Sequence, residues 1–134
     1  MESKFNYKNF SIVIPIFNEE EILEESTNAI FSLCKRMEID FEIIFSENGS
    51  TDKTKAIAKE LTNKHPEIKI ISNPEPNYGN ALKTGFKIAK NDLVVSFDID
   101  YYSESFLSEA LKLESEYSGI TASKRLGSLS LIHI

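Results

Sequence analysis

The sequence predicts an α/β domain, doubly wound around a mainly parallel sheet, and three observations carry that prediction. Short β-branched runs alternate along the chain with stretches whose apolar residues recur at helical spacing. Clusters of Asn, Ser and Asp follow three of those runs directly, where strand-to-helix turns belong. The chain has 134 residues, 41% hydrophobic and 27% charged, the size and balance of one globular domain with a real core.

The first strand is the run SIVIPIF at 11–17, β-branched and apolar throughout. Asn18 then caps a helix, with Glu21 reaching back in a variant of the capping box. That helix carries Ile22, Ala29, Ile30, Leu33 and Met37 on one stripe and ends before Asp40. Cys34 lies beside the stripe and reads as a buried, unreactive thiol. The second strand is FEIIF at 41–45, followed by the turn-rich SENGS at 46–50. Ser50 caps a second helix with Ala56, Ile57 and Leu61 facing inward. IKII at 68–71 makes a third strand, and the loop at 73–79, with two prolines and a glycine, is not helical. A third helix follows with Ala81, Leu82, Gly85, Phe86 and Ala89 on one face. LVVSF at 93–97 is the fourth strand and runs into Asp98-Ile99-Asp100. A fourth helix, capped by Ser103, carries Phe106, Leu107, Ala110, Leu111 and Tyr117. Residues 120–123 add a fifth strand. The crossovers are right-handed, and a sheet of order 3-2-1-4 collects ligands outside the carboxyl ends of its strands, where the winding reverses.

Composition narrows the function classes. Fifteen Lys and Arg against 21 Asp and Glu leave a formal charge of −6, which argues against nucleic acid as the partner, since a phosphate backbone needs a basic face. The acidic run at 19–21 and Glu24-Glu25 belong to a solvated helix face. Cys34 is the single cysteine, so an internal disulfide and a cysteine-built zinc site are excluded, and a reducing, cytoplasmic location fits. No apolar run is long enough to span a membrane, and residues 1–4 do not open a signal peptide. His65, at a helix end before Pro66, reads as a surface residue.

The sharpest chemical feature is Asp98-Ile99-Asp100 at the carboxyl end of a very apolar strand. In extended backbone the two carboxylates would share one side with Cα atoms roughly 6.5 Å apart. Such a pair repels itself unless a cation or strong donors satisfy it, and Mg²⁺ or Mn²⁺ does so while keeping positions for water and substrate phosphates. A solvated pair capping the next helix explains the motif equally well when it is taken alone. Two more polar segments, 15–19 and 47–52, follow the first and second strands. The predicted sheet brings all three to one edge, where helix N-termini converge and a nucleotide diphosphate would be at home.

In these motifs the chain resembles the N-terminal half of the GT-A glycosyltransferases of family 2, including the dolichyl- and polyprenyl-phosphate sugar synthases. The resemblance runs over about residues 8–128 and rests on four segments in order: Pro15 to Glu19, Glu47 to Asp52, Asn77-Tyr78-Gly79, and Asp98-Ile99-Asp100. It implies a Rossmann-like three-layer αβα half of a GT-A fold. It also implies a nucleotide-sugar site formed by Pro15, Phe17, Glu19, Ser46, Glu47, Asn48, Asp98, Ile99 and Asp100. Asp98 would contact the ribose or a metal-bound water, and Asp100 would ligate Mg²⁺ or Mn²⁺, with both counted as the metal site. The implied reaction moves a sugar from a UDP- or GDP-sugar to a polyprenyl phosphate or cell-envelope glycan, inverting the anomeric centre in one displacement.

Three positions depart from the family pattern. The acidic pair of the second motif is Glu47-Asn48, the residue after Gly79 is Asn80 rather than basic, and Tyr102 stands where a third metal ligand would be. The resemblance covers only the donor half, so the catalytic base and acceptor site are expected beyond residue 134, with peripheral membrane association through the missing half. The tail LSLIHI at 129–134 spells what a transposase sequencing adapter yields in frame and is expected to be non-native, leaving 1–128 as the domain; a short natural strand is the other reading. A fragment that binds the donor without turnover also stays open. Phosphoryl transfer of the haloacid-dehalogenase kind fits poorly, because its D-x-D lies on the first strand and Tyr102 replaces the Thr or Val that follows. A dinucleotide oxidoreductase lacks its G-x-G-x-x-G.

Overall fold

The computed structural model describes residues 9–74, 77–91, 93–100, 119–123 and 128–132. In chain order these form β1 (Asn9–Ile16), α1 (Leu23–Arg36), β2 (Asp40–Asn48), α2 (Thr54–Lys64), β3 (Ile68–Asn73), α3 (Tyr78–Ile88), β4 (Leu93–Phe97), β5 (Gly119–Ser123) and β6 (Ser128–Ile132). The sheet order is β3-β2-β1-β4-β5-β6. The first five strands are parallel neighbours, and β6 pairs antiparallel with β5. The predicted order 3-2-1-4 and the fifth strand are therefore present. The helix expected from Ser103 lies outside the described residues. Part of the expected non-native tail pairs as β6.

Strand alternation divides the core between two faces. Phe10, Ile12, Ile14 and Ile16 of β1, Ile43 and Phe45 of β2, and Val95 and Phe97 of β4 pack with Leu23, Ile30, Phe31, Leu33 and Cys34 of α1 and with Ala58 and Leu61 of α2. On the other face Val13, Ile44 and Val94 meet Leu82 and Phe86 of α3. The result is three layers. α3 lies so close that a Cβ added to Gly85 would fall 2.4 Å from Cγ1 of Val13. Burial pushes the Cys34 thiol up to about 12, as expected of an inert core cysteine.

The second face also buries polar groups. The Glu42 carboxylate, 1% exposed, accepts from Ser11 Oγ at 2.6 Å and from the Lys90 N–H at 2.7 Å, and pairs with Lys69 Nζ at 2.9 Å. It ties β1, β2, β3 and the approach to β4 together at the amino end of the sheet. A cleft of about 300 Å³ opens at that same end, lined by Asn9, Phe41, Glu67 and Lys90 among others.

Several local expectations differ from the structure. α1 starts at Leu23 with no side-chain cap, because Asn18 bonds elsewhere and takes a left-handed backbone, φ 52°. α2 starts at Thr54 rather than after Ser50, and Ala58 is buried where Ala56 is exposed. The buried set Thr54, Ala58 and Leu61 is the i, i+4, i+7 stripe of the shifted helix. The loop before α3 yields Tyr78 and Gly79 to the helix, whose cap is Asn77 Oδ1 accepting from the Asn80 N–H at 2.9 Å. His65 is half-buried, its ring 4.3 Å from that of Phe31.

Candidate functional site

The carboxyl ends of β1, β2 and β4 lie side by side, since β1 pairs with both of the others. Winding reverses at β1, with β2 and β3 on one side and β4 and β5 on the other. Both first loops therefore leave from the same edge, and they are locked to each other. The Asn18 N–H donates to Ser50 Oγ at 3.0 Å, and the Thr51 N–H donates to Asn18 Oδ1 at 2.8 Å. The Glu19 N–H donates to Thr54 Oγ1 at 2.7 Å, and the Glu20 N–H to Asp52 Oδ2 at 3.3 Å. In return Glu20 Oε1 accepts from the Lys53 N–H at 2.8 Å. Asn18, Ser50 and Asp52 thus satisfy backbone donors of the loops and of the start of α2, which otherwise lacks a cap bond from Lys53.

Partial loss of water pushes the Asp52 carboxyl up, but hydrogen bonds from the Thr54 hydroxyl and N–H and from the Glu20 N–H outweigh this and hold it below the usual carboxylate range. That pattern fits a carboxylate used to cap backbone rather than to trade protons. Phe17 is 43% exposed, while Pro15 is buried and Glu19 half-buried.

The end of β2 contributes three buried polar residues. Ser46 is fully buried, and its Oγ accepts from Asn73 Nδ2 at 3.1 Å and lies 3.5 Å from Thr84 Oγ1 of α3. Glu47 turns an oxygen back to the Ser50 N–H at 2.6 Å. Asn48 Oδ1 accepts from the Asn77 N–H at 3.1 Å, fixing the entry to α3. Asn73, Thr54 and Thr84 were not among the expected site residues. Asn73 stands at the carboxyl end of β3, opposite Asn48 in the register, so the edge rule alone could have found it. Nothing local marks Thr54 or Thr84.

β4 ends at Phe97, so the aspartates lie beyond it: Asp98 is half-buried, and Ile99 and Asp100 sit in a turn. The expected extended arrangement stops before the motif begins. Ile99 is wholly buried in the core beside Phe97 and anchors the motif from beneath, while Asp100 is exposed. Among the described residues no group of three or more His, Cys, Asp and Glu gathers around a point. Two carboxylates that leave the remaining positions to water and phosphate oxygens nevertheless form the donor set a magnesium-like ion commonly takes, so Asp98 and Asp100 suit such an ion chemically.

The sequence profile described as "Glycosyl transferase family 2" matches residues 11–117. The undecaprenyl-phosphate 4-deoxy-4-formamido-L-arabinose transferase of Proteus mirabilis (strain HI4320) is 35% identical over 92 residues, covering 67% of this chain and 28% of that protein. The transferase of the same name from Sodalis glossinidius (strain morsitans) is 31% identical over 105 residues, covering 75% of this chain and 31% of its own length. Among solved structures, a mannosyltransferase from Pyrobaculum calidifontis in complex with GDP-Man and Mn²⁺ superposes with a TM-score of 0.64 at 20% identity, over 81% of this chain and 33% of that one. That likeness establishes the shared fold. The chain spans about a third or less of the length of each of these proteins. Among the described residues no helix is long and apolar enough to cross a membrane.

Proposed function

The chain belongs to glycosyl transferase family 2, and on that footing we propose that it forms the donor-binding part of an enzyme that moves a sugar from a nucleoside-diphosphate donor to a polyprenyl phosphate. The observation that carries the proposal is the convergence of the ends of β1, β2 and β4 at the reversal of winding, with two loops hydrogen-bonded to each other and Phe17 exposed just after β1. The names of the relatives, which are undecaprenyl-phosphate sugar transferases, support this class of acceptor; a cell-envelope glycan is the alternative acceptor.

In this reading Phe17 offers its ring to the base, Pro15 and Glu19 border the ribose, and Ser46, Glu47 and Asn48 complete that side of the pocket. The latch between the loops keeps these groups in place before the donor arrives, which lowers the ordering cost of binding. Asp98 faces the ribose or a metal-bound water, Asp100 holds Mg²⁺ or Mn²⁺, and Ile99 fixes the turn between them. The ion, when bound, offsets negative charge on the departing diphosphate. The acceptor oxygen attacks the anomeric carbon opposite the diphosphate, so one bond forms as the other breaks and the centre inverts. The base that takes the acceptor proton is assigned to a part of the protein outside this chain, as is contact with the cytoplasmic face of the membrane where a polyprenyl phosphate is held. The chain alone binds donor without turning it over.

Calorimetric titration of the chain with CDP, UDP and GDP, each with and without Mn²⁺, tests the proposal. Binding that requires the ion is the expected result. A folded sample that binds none of the three overturns it.

A further inference from the structure

We propose that Ser96 is a positioning residue of the donor site, its buried hydroxyl donating to the Asp98 carboxylate once a nucleoside diphosphate is bound. The inference rests on the reading above, that Asp98 faces the donor, and deepens it by naming the group that orients that side chain. Ser96 lies inside β4 and is fully buried, between the apolar Val95 and Phe97. Among the described residues two buried side-chain polar atoms lack a hydrogen-bond partner, Glu42 Oε1 and Ser96 Oγ. Glu42 Oε1 faces Lys69 Nζ at 2.9 Å, which leaves Ser96 Oγ. Ser11 and Ser46, also fully buried, are both paired: Ser11 Oγ donates to Glu42 Oε2, and Ser46 Oγ accepts from Asn73 Nδ2.

An unpaired hydroxyl shut away from water costs free energy, and departures of this kind gather at functional sites. Its place in the sheet says what it serves. Val95, Phe97 and Ile99 pack in one core cluster, with α1 and α2, while Val94 packs in the other, against α3. Ser96, in register with Val13, therefore faces the α3 side. The next residue on that side is Asp98, which is half-buried. Alternate residues of a strand stand roughly 6.5 Å apart. A serine hydroxyl and an aspartate carboxylate turned toward each other close that gap to hydrogen-bond length. A bond to a carboxylate is also stronger than one between neutral groups. Ser96 thus gains its partner, and Asp98 its fixed direction, in the step that brings the donor in. The hydroxyl adds to donor affinity without touching the donor.

The test is calorimetric titration of the whole chain with CDP, UDP and GDP in the presence of Mn²⁺, beside thermal melts without ligand. Ser96→Ala removes a hydroxyl that the chain itself leaves unpaired, so its melting temperature should equal or exceed the native one. Its affinity for the nucleotide that the native chain binds best should nevertheless fall by about tenfold. Ser96→Thr keeps the hydroxyl and should bind within about threefold of native. A purely structural serine would lower stability and affinity together. Native affinity in Ser96→Ala, a lowered melting temperature, or equal losses in Ser96→Ala and Ser96→Thr overturns the inference. Each of these results leaves the donor-binding proposal standing, because the native chain still binds. A folded native chain that binds none of the three nucleotides overturns both.

Discussion

Thr51 donates its N–H to Asn18 Oδ1 at 2.8 Å, a bond that joins loops 33 residues apart in the sequence. It is the centre of the latch that holds the first two strand-to-helix turns as one platform. Asn18 pays for this with a left-handed backbone, φ 52°, which asparagine tolerates better than most residues. Asn18→Ala removes the acceptor and keeps the unfavourable backbone, so it should cost about 1–3 kcal/mol in urea denaturation. Asn18→Gly relieves the backbone alone and should fall between the two. Equal midpoints for native protein and Asn18→Ala would show that the latch contributes nothing.

Asp100 is the more exposed of the two aspartates after β4, and its proposed task is the ion. Asp100→Asn should leave the melting temperature close to native and abolish the Mn²⁺ dependence of nucleotide binding. Unchanged affinity in the presence of Mn²⁺ would remove Asp100 from the metal site.

Gly85 sits where α3 touches β1, and a methyl there would meet Val13 Cγ1 at 2.4 Å. Alanine ordinarily favours a helix over glycine, by about 1 kcal/mol. Here overpacking should reverse the sign, and Gly85→Ala is expected to destabilise by about 1–3 kcal/mol, read from the denaturation midpoint. Gly85→Ala combined with Val13→Ala should recover part of the loss.

At the end of α1 the Ile39 N–H returns to Cys34 O and the Glu38 N–H to Lys35 O, a Schellman ending with Glu38 at φ 56°. Glycine is the ordinary occupant of that position. Glu38→Gly should raise stability by up to about 1 kcal/mol, visible as a higher melting temperature with nucleotide affinity unchanged.

Glu42 links stability to pH. Burial pushes its carboxyl up, but hydrogen bonds from the Lys90 N–H, Ser11 and Lys69, with the Lys69 charge, prevail and hold it below its ordinary value of 4.5. A carboxyl with a lowered folded value contributes its stability above the unfolded value and loses it as pH falls through the folded one. Stability should therefore drop as pH goes below about 4.5, and Glu42→Gln, less stable at neutral pH, should show a shallower acid slope. Parallel acid profiles for the two proteins would rule this out.

Much of the fold was legible because its signals are local. β-branched runs of four to seven residues and apolar stripes at helical spacing mark strands and helices whatever surrounds them, and the parallel order of the first four strands follows from the repeated crossover. The edge carrying Pro15, Phe17, Asn48 and Asp98 followed from the same pattern, since each motif stands directly after a strand. The turn chemistry was not legible in the same way. Asn18 and Ser50 match a local helix cap, yet each bonds across to the other loop, because the sheet brings the two turns within reach. Nor does spacing distinguish Ala56 from Ala58 until the start of α2 is set by Asp52 and Thr54.

The sequence by itself determined which residues make strands, which make helices, and which polar segments end up at one edge of the sheet. The tertiary structure decided what those polar groups do there. A hydrogen bond depends on distance and direction between atoms far apart in the chain, and only the folded sheet brings the Thr51 N–H to 2.8 Å from Asn18 Oδ1.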